Sequence, residues 1–282
     1  MRFKIIVKET SKTNYFKALE DRVRKVWIDF RKNVINNLDL DFTEFKEKGF
    51  LKIYDDYFRH SQFTQMATLS ITDFESYKIG RGVIEERELL NLQRFIPDEK
   101  YINESNRFSP SHCAWLYLAI GTDERKIQNT SRAECRAEKN RDFAFCEFRL
   151  TNKVGKIIDL TVADDGRVYK EKREYNNCKN ALTDISTSIE MLHGNEYIRY
   201  KTDRCLSLLF ANLISYQLFI PLEDEKNNKN DVYAPFHILA KYFISEGYDG
   251  IIYRSTVYPG GKNMVLFDKS LAKPVKIVEP GF

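Results

Sequence analysis

Residues Glu246–Asp268 read EGYDGIIYRSTVYPGGKNMVLFD. The apolar run Ile251-Ile252-Tyr253 ends at Arg254-Ser255-Thr256, a Pro-Gly-Gly turn follows, and a second apolar run covers Met264 to Phe267. Short apolar runs bounded by turn residues predict a strand, a loop and a strand. Ser255 stands where the first strand gives out, and what else meets it there decides how the chain is read.

The same texture extends upstream. FAFCEFRL (Phe143–Leu150) and KIIDL (Lys156–Leu160) read as strands, and an apolar strand covers Trp115–Leu118. Helical segments lie between them at Ser131–Glu138, Asn180–Leu192 and Pro235–Glu246, with Lys226–Asp231 as a polar surface loop. Cys205–Leu222 carries no charge and approaches the length of a membrane span. Ser207, Asn212, Ser215 and Gln217 interrupt it and Pro221 closes it, so a helix buried in a globular domain is the better reading. The class is α+β: a mixed sheet core flanked by helices, covering residues 76–282.

Residues 1–75 read as an N-terminal helical extension. In NYFKALEDRVRKVWIDFRKNVINN, Phe16, Leu19, Val23, Val26, Trp27, Phe30 and Val34 recur at spacings of three and four, which places them on one helical face. Arg22, Arg24, Lys25, Arg31 and Lys32 fall elsewhere on the same helix, as a solvated surface. Thr43–His60 predicts one or two further helices interrupted at Gly49.

Bulk properties narrow the class. The chain has 282 residues, 43% hydrophobic and 30% charged, enough to bury a core. A net charge of +4 suits an anionic ligand but is too weak an argument for nucleic acid. Five cysteines, none spaced as CxxC, argue against a disulfide scaffold or zinc site and fit a reducing cytoplasm. The four histidines are scattered, and no metal site is expected. The start, MRFKIIVKETSK, has too short an apolar run for a signal peptide, and no membrane association is expected.

Three further stretches stand out. NRFSPSHCAWLYLA (Asn106–Ala119) opens with Arg107 in a loop and carries Tyr117 on the strand that follows. TSRAECRAE (Thr130–Glu138) reads as a helix carrying Glu134. KIGRGVI (Lys78–Ile84) sets Arg81 between two glycines, as a second anion clamp or merely part of a turn.

Taken in order, Arg107, Tyr117, Glu134 and Ser255, with Gly247-Tyr248-Asp249-Gly250-Ile251 before Ser255 and Asn263-Met264-Val265-Leu266-Phe267 after it, resemble the RES family, named for its Arg, Glu and Ser. The resemblance covers Lys78–Asp268. It implies an ADP-ribosyltransferase-like fold, NAD as substrate, and a toxin of a toxin–antitoxin pair that depletes NAD by hydrolysis or phosphorolysis. It further implies an antitoxin or inhibitor protein as partner and leaves a homo-oligomer open. Two positions depart from the family pattern. Asn106 replaces the glycine before the arginine, and His112 stands where a second glycine is frequent. Glycine there permits close backbone approach, so these side chains bear on the shape of the pocket.

The chemistry suits these residue types. Nicotinamide leaves NAD from a cationic ring nitrogen, so no general acid is needed and the transition state is oxocarbenium-like. Glu134 is the candidate to stabilise that cation, grip a ribose hydroxyl and orient the nucleophile. Arg107, with Arg81 as the second clamp, offers forked donors to the phosphates. Tyr117 is a candidate for stacking on or hydrogen bonding to nicotinamide or ribose, or else a core tyrosine bonded to backbone. Ser255 is a candidate to bond the ribose or hold Glu134, and Asn263 to close the same wall or cap the turn. Three alternatives to NAD cleavage stay open at this point: transfer of ADP-ribose to a macromolecule, a non-catalytic binding module of the same fold, and, resting only on the basic helix face, a nuclease.

Overall fold

The apolar stripe of the N-terminal segment forms helix α1 (Asn14–Ile35) and buries Trp27, Phe30 and Val34, while Arg22, Arg24, Lys25 and Lys32 stay exposed. The computed structural model describes residues 14–38, 41–60, 63–137, 142–163 and 229–278, with the isolated positions 170, 173, 196, 204, 208, 211 and 212. The chain divides into two compact units, Met1–Thr64 with Ala163–Ile214, and Gln65–Val162 with Ser215–Phe282. The helices predicted over 180–192 and 205–222 lie outside the described residues, apart from positions 208, 211 and 212.

In the first unit, α1 packs on α2 (Phe42–Lys46) and α3 (Gly49–His60) through aromatic rings. Trp27 meets Phe50 edge-on at 4.9 Å, and Phe30 meets Phe45 at 6.3 Å. Each such burial contributes about 1.5–3 kcal/mol. Gly49 opens α3 at φ 60, a left-handed conformation that glycine adopts without a steric penalty.

A short helix, α4 (Phe63–Ala67), leads to the second unit, which is built on one eight-stranded sheet. Its strands are β1 (Thr68–Ser70), β2 (Lys78–Ile84), β3 (Leu116–Gly121), β4 (Phe143–Leu150), β5 (Lys156–Asp159), β6 (Gly250–Arg254), β7 (Lys262–Leu266) and β8 (Ala272–Val278). Their order is β1-β5-β6-β7-β3-β2-β4-β8. Among the described strands only β5 and β6 pair in parallel, so the sheet is mixed. With α5 (Glu124–Glu134) and α6 (Lys229–Ser245) beside it, this is the α+β architecture expected.

Strand alternation sends Leu116, Leu118 and Ile120 of β3 into a core shared with Ile252, Met264 and Leu266. On the opposite face, Ile127 of α5 packs with Ala119, Phe143 and Phe145. Among the described residues, no helix is long and apolar enough to cross a membrane.

Three elements differ from the sequence reading. The helix expected over 131–138 begins at Glu124, because Asp123 caps it by accepting from the Lys126 amide at 2.9 Å, and it ends at Glu134, because Arg136 turns left-handed at φ 54. The strand expected over 115–118 runs Leu116–Gly121. The helix expected from Pro235 starts at Lys229, so residues 229–231 of the predicted polar loop are helical and Pro235 lies inside the helix.

Strands β2 and β3 pair over only three residues, Lys78 to Gly80 against Ala119 to Gly121. From Arg81 onward, β2 continues on β4 alone. Helix α5 takes the vacated place. The Gly82 amide donates to Ser131 Oγ at 2.5 Å, and the Cys135 thiol donates to the Gly82 carbonyl at 3.3 Å. A Cβ at Gly82 would stand 2.3 Å from the Phe143 ring and 2.9 Å from Ser131 Oγ, so only glycine lets helix and ring close on the strand. The sequence left open whether the glycines flanking Arg81 mark a turn; they lie inside a strand.

Candidate functional site

Glu134 is the last residue of α5 and is itself exposed. Two donors converge on its Oε1: the Ser255 hydroxyl at 2.7 Å and the Asn263 side-chain amide. Asn263 lies in β7, and Ser255 follows β6 immediately. Both are buried. The Ser255 oxygen also accepts from the amides of Tyr258 at 3.0 Å and Val257 at 3.3 Å, and its own amide donates to the Gly261 carbonyl at 2.9 Å. A hydroxyl has one proton and two lone pairs. At Ser255 the turn occupies the lone pairs, which aims the proton at Glu134. Among the described residues nothing pairs with Oε2 of Glu134.

The loop carrying Arg107 is held from several sides. The Asn106 amide donates to the Ser109 carbonyl at 2.8 Å, and the His112 amide to the Ile102 carbonyl at 2.8 Å. Ser105 donates to Asn230 of α6 at 2.5 Å and accepts from the Ser111 amide at 3.2 Å. His237 of α6 places Nε2 3.0 Å from the Asn106 carbonyl, and burial pushes its imidazole below the usual value. His112 sits at φ 60, so the chain keeps the glycine-type backbone at this departure from the family pattern while carrying a side chain.

Tyr117 supports the same loop from β3. Its hydroxyl accepts from the Phe108 amide at 3.3 Å and hydrogen-bonds with Ser109 Oγ at 3.0 Å. Burial pushes this phenol far above its ordinary value. The hydroxyl is therefore committed to the Arg107 loop, while one side of the residue lines a cavity of about 1120 Å³.

That cavity lies where β2 and β3 part. Arg81, Asn106, Trp115 and Tyr117 contribute to its wall, together with residues of the 91–106 segment. Glu134, Ser255, Asn263 and Arg107 are not among its lining residues. The guanidiniums of Arg81 and Arg107 each bury an Nη1 that has no hydrogen-bond partner among the described residues. Burial lowers the pKa of Arg81. The Arg107 guanidinium carbon stands 6.0 Å from the centre of the Tyr233 ring, at the outer limit of a cation–π contact.

The predicted residues thus form two groups. Glu134, Ser255 and Asn263 are joined by direct hydrogen bonds, and Arg81 and Tyr117 share a cavity wall beside the Arg107 loop. Tyr253 received no role in the sequence reading. It is buried on β6 directly opposite Asn263, with Tyr117, Glu134, Arg107 and Tyr233 as its electrostatic neighbours. The signal that marks it is strand alternation: two residues before Ser255, it falls on the same face.

The RES domain family model matches residues 190–281, agreeing with the family the sequence resembles. The matched span includes Tyr253, Ser255 and Asn263 and stops short of Arg81, Arg107, Tyr117 and Glu134. No curated protein and no solved structure matches the chain.

Proposed function

We propose that this protein cleaves the nicotinamide–ribose bond of NAD and acts as a toxin or defence effector that depletes it. The observation that carries the reading is the Glu134 carboxylate, with Oε1 fixed by Ser255 and Asn263 and Oε2 unpaired. A carboxylate held in this way is preorganised to face a cation without reorganising during the reaction. The RES match supports the NAD-related class.

In this reading the C–N bond breaks heterolytically and nicotinamide departs neutral with both bonding electrons. Glu134 stabilises the positive charge left on the ribose and orients the nucleophile. Water yields ADP-ribose and a proton; phosphate yields the 1-phosphate of ADP-ribose. The half-buried guanidiniums of Arg107 and Arg81, each with an enclosed Nη1 that no described residue meets, supply donors for the pyrophosphate, since an enclosed donor is costly until an acceptor meets it. Ser255 is a positioning residue, not a nucleophile, because its proton and both lone pairs are engaged.

A second reading, transfer of ADP-ribose to a macromolecule, draws on the exposure of Glu134, which leaves room for a large acceptor. The deciding experiment is NAD consumption by the purified protein with and without phosphate, for wild type, Glu134→Gln and Arg107→Ala. Consumption by wild type that both variants lose is the expected result, and phosphate dependence identifies the acceptor. Nicotinamide release only when a protein acceptor is added would favour the transferase.

A further inference from the structure

Tyr253 occupies a place that core packing alone does not explain. Its ring meets Phe108 edge-on at 5.1 Å, which seats it against the residue after Arg107. On the other side, it stands in register with Asn263, the donor that holds Glu134. Residues directly opposite in an antiparallel pair project from the same face. The phenol therefore lies between the loop bearing Arg107 and the carboxylate-holding pair.

Among the described residues its hydroxyl has no hydrogen-bond partner. The comparison with Tyr117 is direct: both tyrosines stand on neighbouring parts of one sheet face, yet half-buried Tyr117 engages Phe108 and Ser109 whereas buried Tyr253 engages nothing among the described residues. The Tyr253 oxygen is not one of the fully enclosed unpaired atoms, so the ring is buried while its polar tip stays open to a partner from outside the chain. Burial, with Glu134 and the other tyrosines adding to it, holds this phenol well above its ordinary value. It thus stays protonated and remains a donor at any working pH.

We infer that the Tyr253 hydroxyl is a substrate-contacting group, donating a hydrogen bond to a hydroxyl of the sugar that Glu134 grips. The sugar hydroxyl in turn donates to Glu134 Oε2, so a chain of donors runs from phenol through substrate to carboxylate. The inference rests on the NAD-cleaving reading above for the identity of the sugar.

The test is Tyr253→Phe, which keeps the ring on Phe108 and removes only the oxygen. Expected are an unchanged melting temperature, a kcat for NAD about 10-fold lower and little change in KM. On analogues lacking the 2′- or the 3′-hydroxyl of the nicotinamide ribose, the difference between wild type and variant should vanish for one of the two. Equal kcat for both proteins would overturn the inference while leaving NAD cleavage standing. A loss of the same size on both analogues would assign Tyr253 a packing role and also overturn it. If wild type does not consume NAD, calorimetry with ADP-ribose decides. Binding about 5-fold weaker in Tyr253→Phe keeps the contact while the chemistry falls; equal affinity, or no binding by either protein, sinks the contact too.

Discussion

The carboxylate end and the guanidinium end of the site are built on opposite rules. At Glu134, the donors that position the carboxylate are engaged within the protein: Ser255 between two amides and Oε1, and a side-chain N–H of Asn263 on Oε1. At Arg81 and Arg107, a buried nitrogen of each is left with nothing to bond among the described residues. A satisfied network holds its geometry whether or not a ligand is present, whereas an unsatisfied one is completed by what binds. The first rule suits a group that must be ready for a developing cation, and the second suits groups that recognise an anion.

Substitutions can break this contrast. The largest effect is expected for Glu134→Gln, which keeps an oxygen for Ser255 and Asn263 but loses the charge. NAD consumption should fall about 100-fold or more with the fold intact by circular dichroism. Ser255→Ala removes one of two donors and unties the 255–258 turn. It should lower kcat about 10-fold and cost about 1 kcal/mol in denaturant unfolding. At the other end, Arg81→Met should go the opposite way in stability. Deleting a half-buried guanidinium whose enclosed Nη1 has no partner among the described residues should leave the melting temperature equal or higher while weakening NAD binding about 10-fold. A large loss of stability in that variant would show that Arg81 is a structural residue and would erase the contrast.

The smallest effect concerns pH. His237 is partly buried, and that desolvation depresses its folded-state pKa below the unfolded value of about 6.5. Below that pH the unfolded chain binds the extra proton more readily, so the contribution to stability is complete above about pH 6.5 and is lost as pH falls through the folded value. His237→Gln should flatten that part of a melting temperature–pH profile. An unchanged slope would remove His237 as its source.

Much of this architecture is legible in local sequence. Ile251 to Tyr253 and Met264 to Leu266 announce β6 and β7 because a Pro-Gly-Gly turn separates two apolar runs. Helix α5 was misplaced because TSRAECRAE keeps good helix formers past its true end, and because the capping signal at Asp123 lies well upstream. The role of Gly80 and Gly82 was illegible for another reason. Both are glycine because the rings of Phe145 and Phe143 lie over them, and those rings arrive from another strand. The junction of Glu134 with Ser255 and Asn263 joins residues separated by 121 and 129 positions. No periodicity encodes such a meeting; only the ordered RES-like motifs pointed to it.

The parting of β2 from β3 has one further consequence. The Gly82 amide is bound to Ser131, one helical turn before Glu134, and its chain neighbour Arg81 faces the cavity. Gly82 therefore works as a short lever between the two ends of the site, with the helix as its arm. An anion that pulls on Arg81 also loads the strand to which the carboxylate's helix is tied. A truncated substrate lacking the pyrophosphate should then lose turnover as well as affinity, because the distant grip helps set the geometry in which the bond is broken.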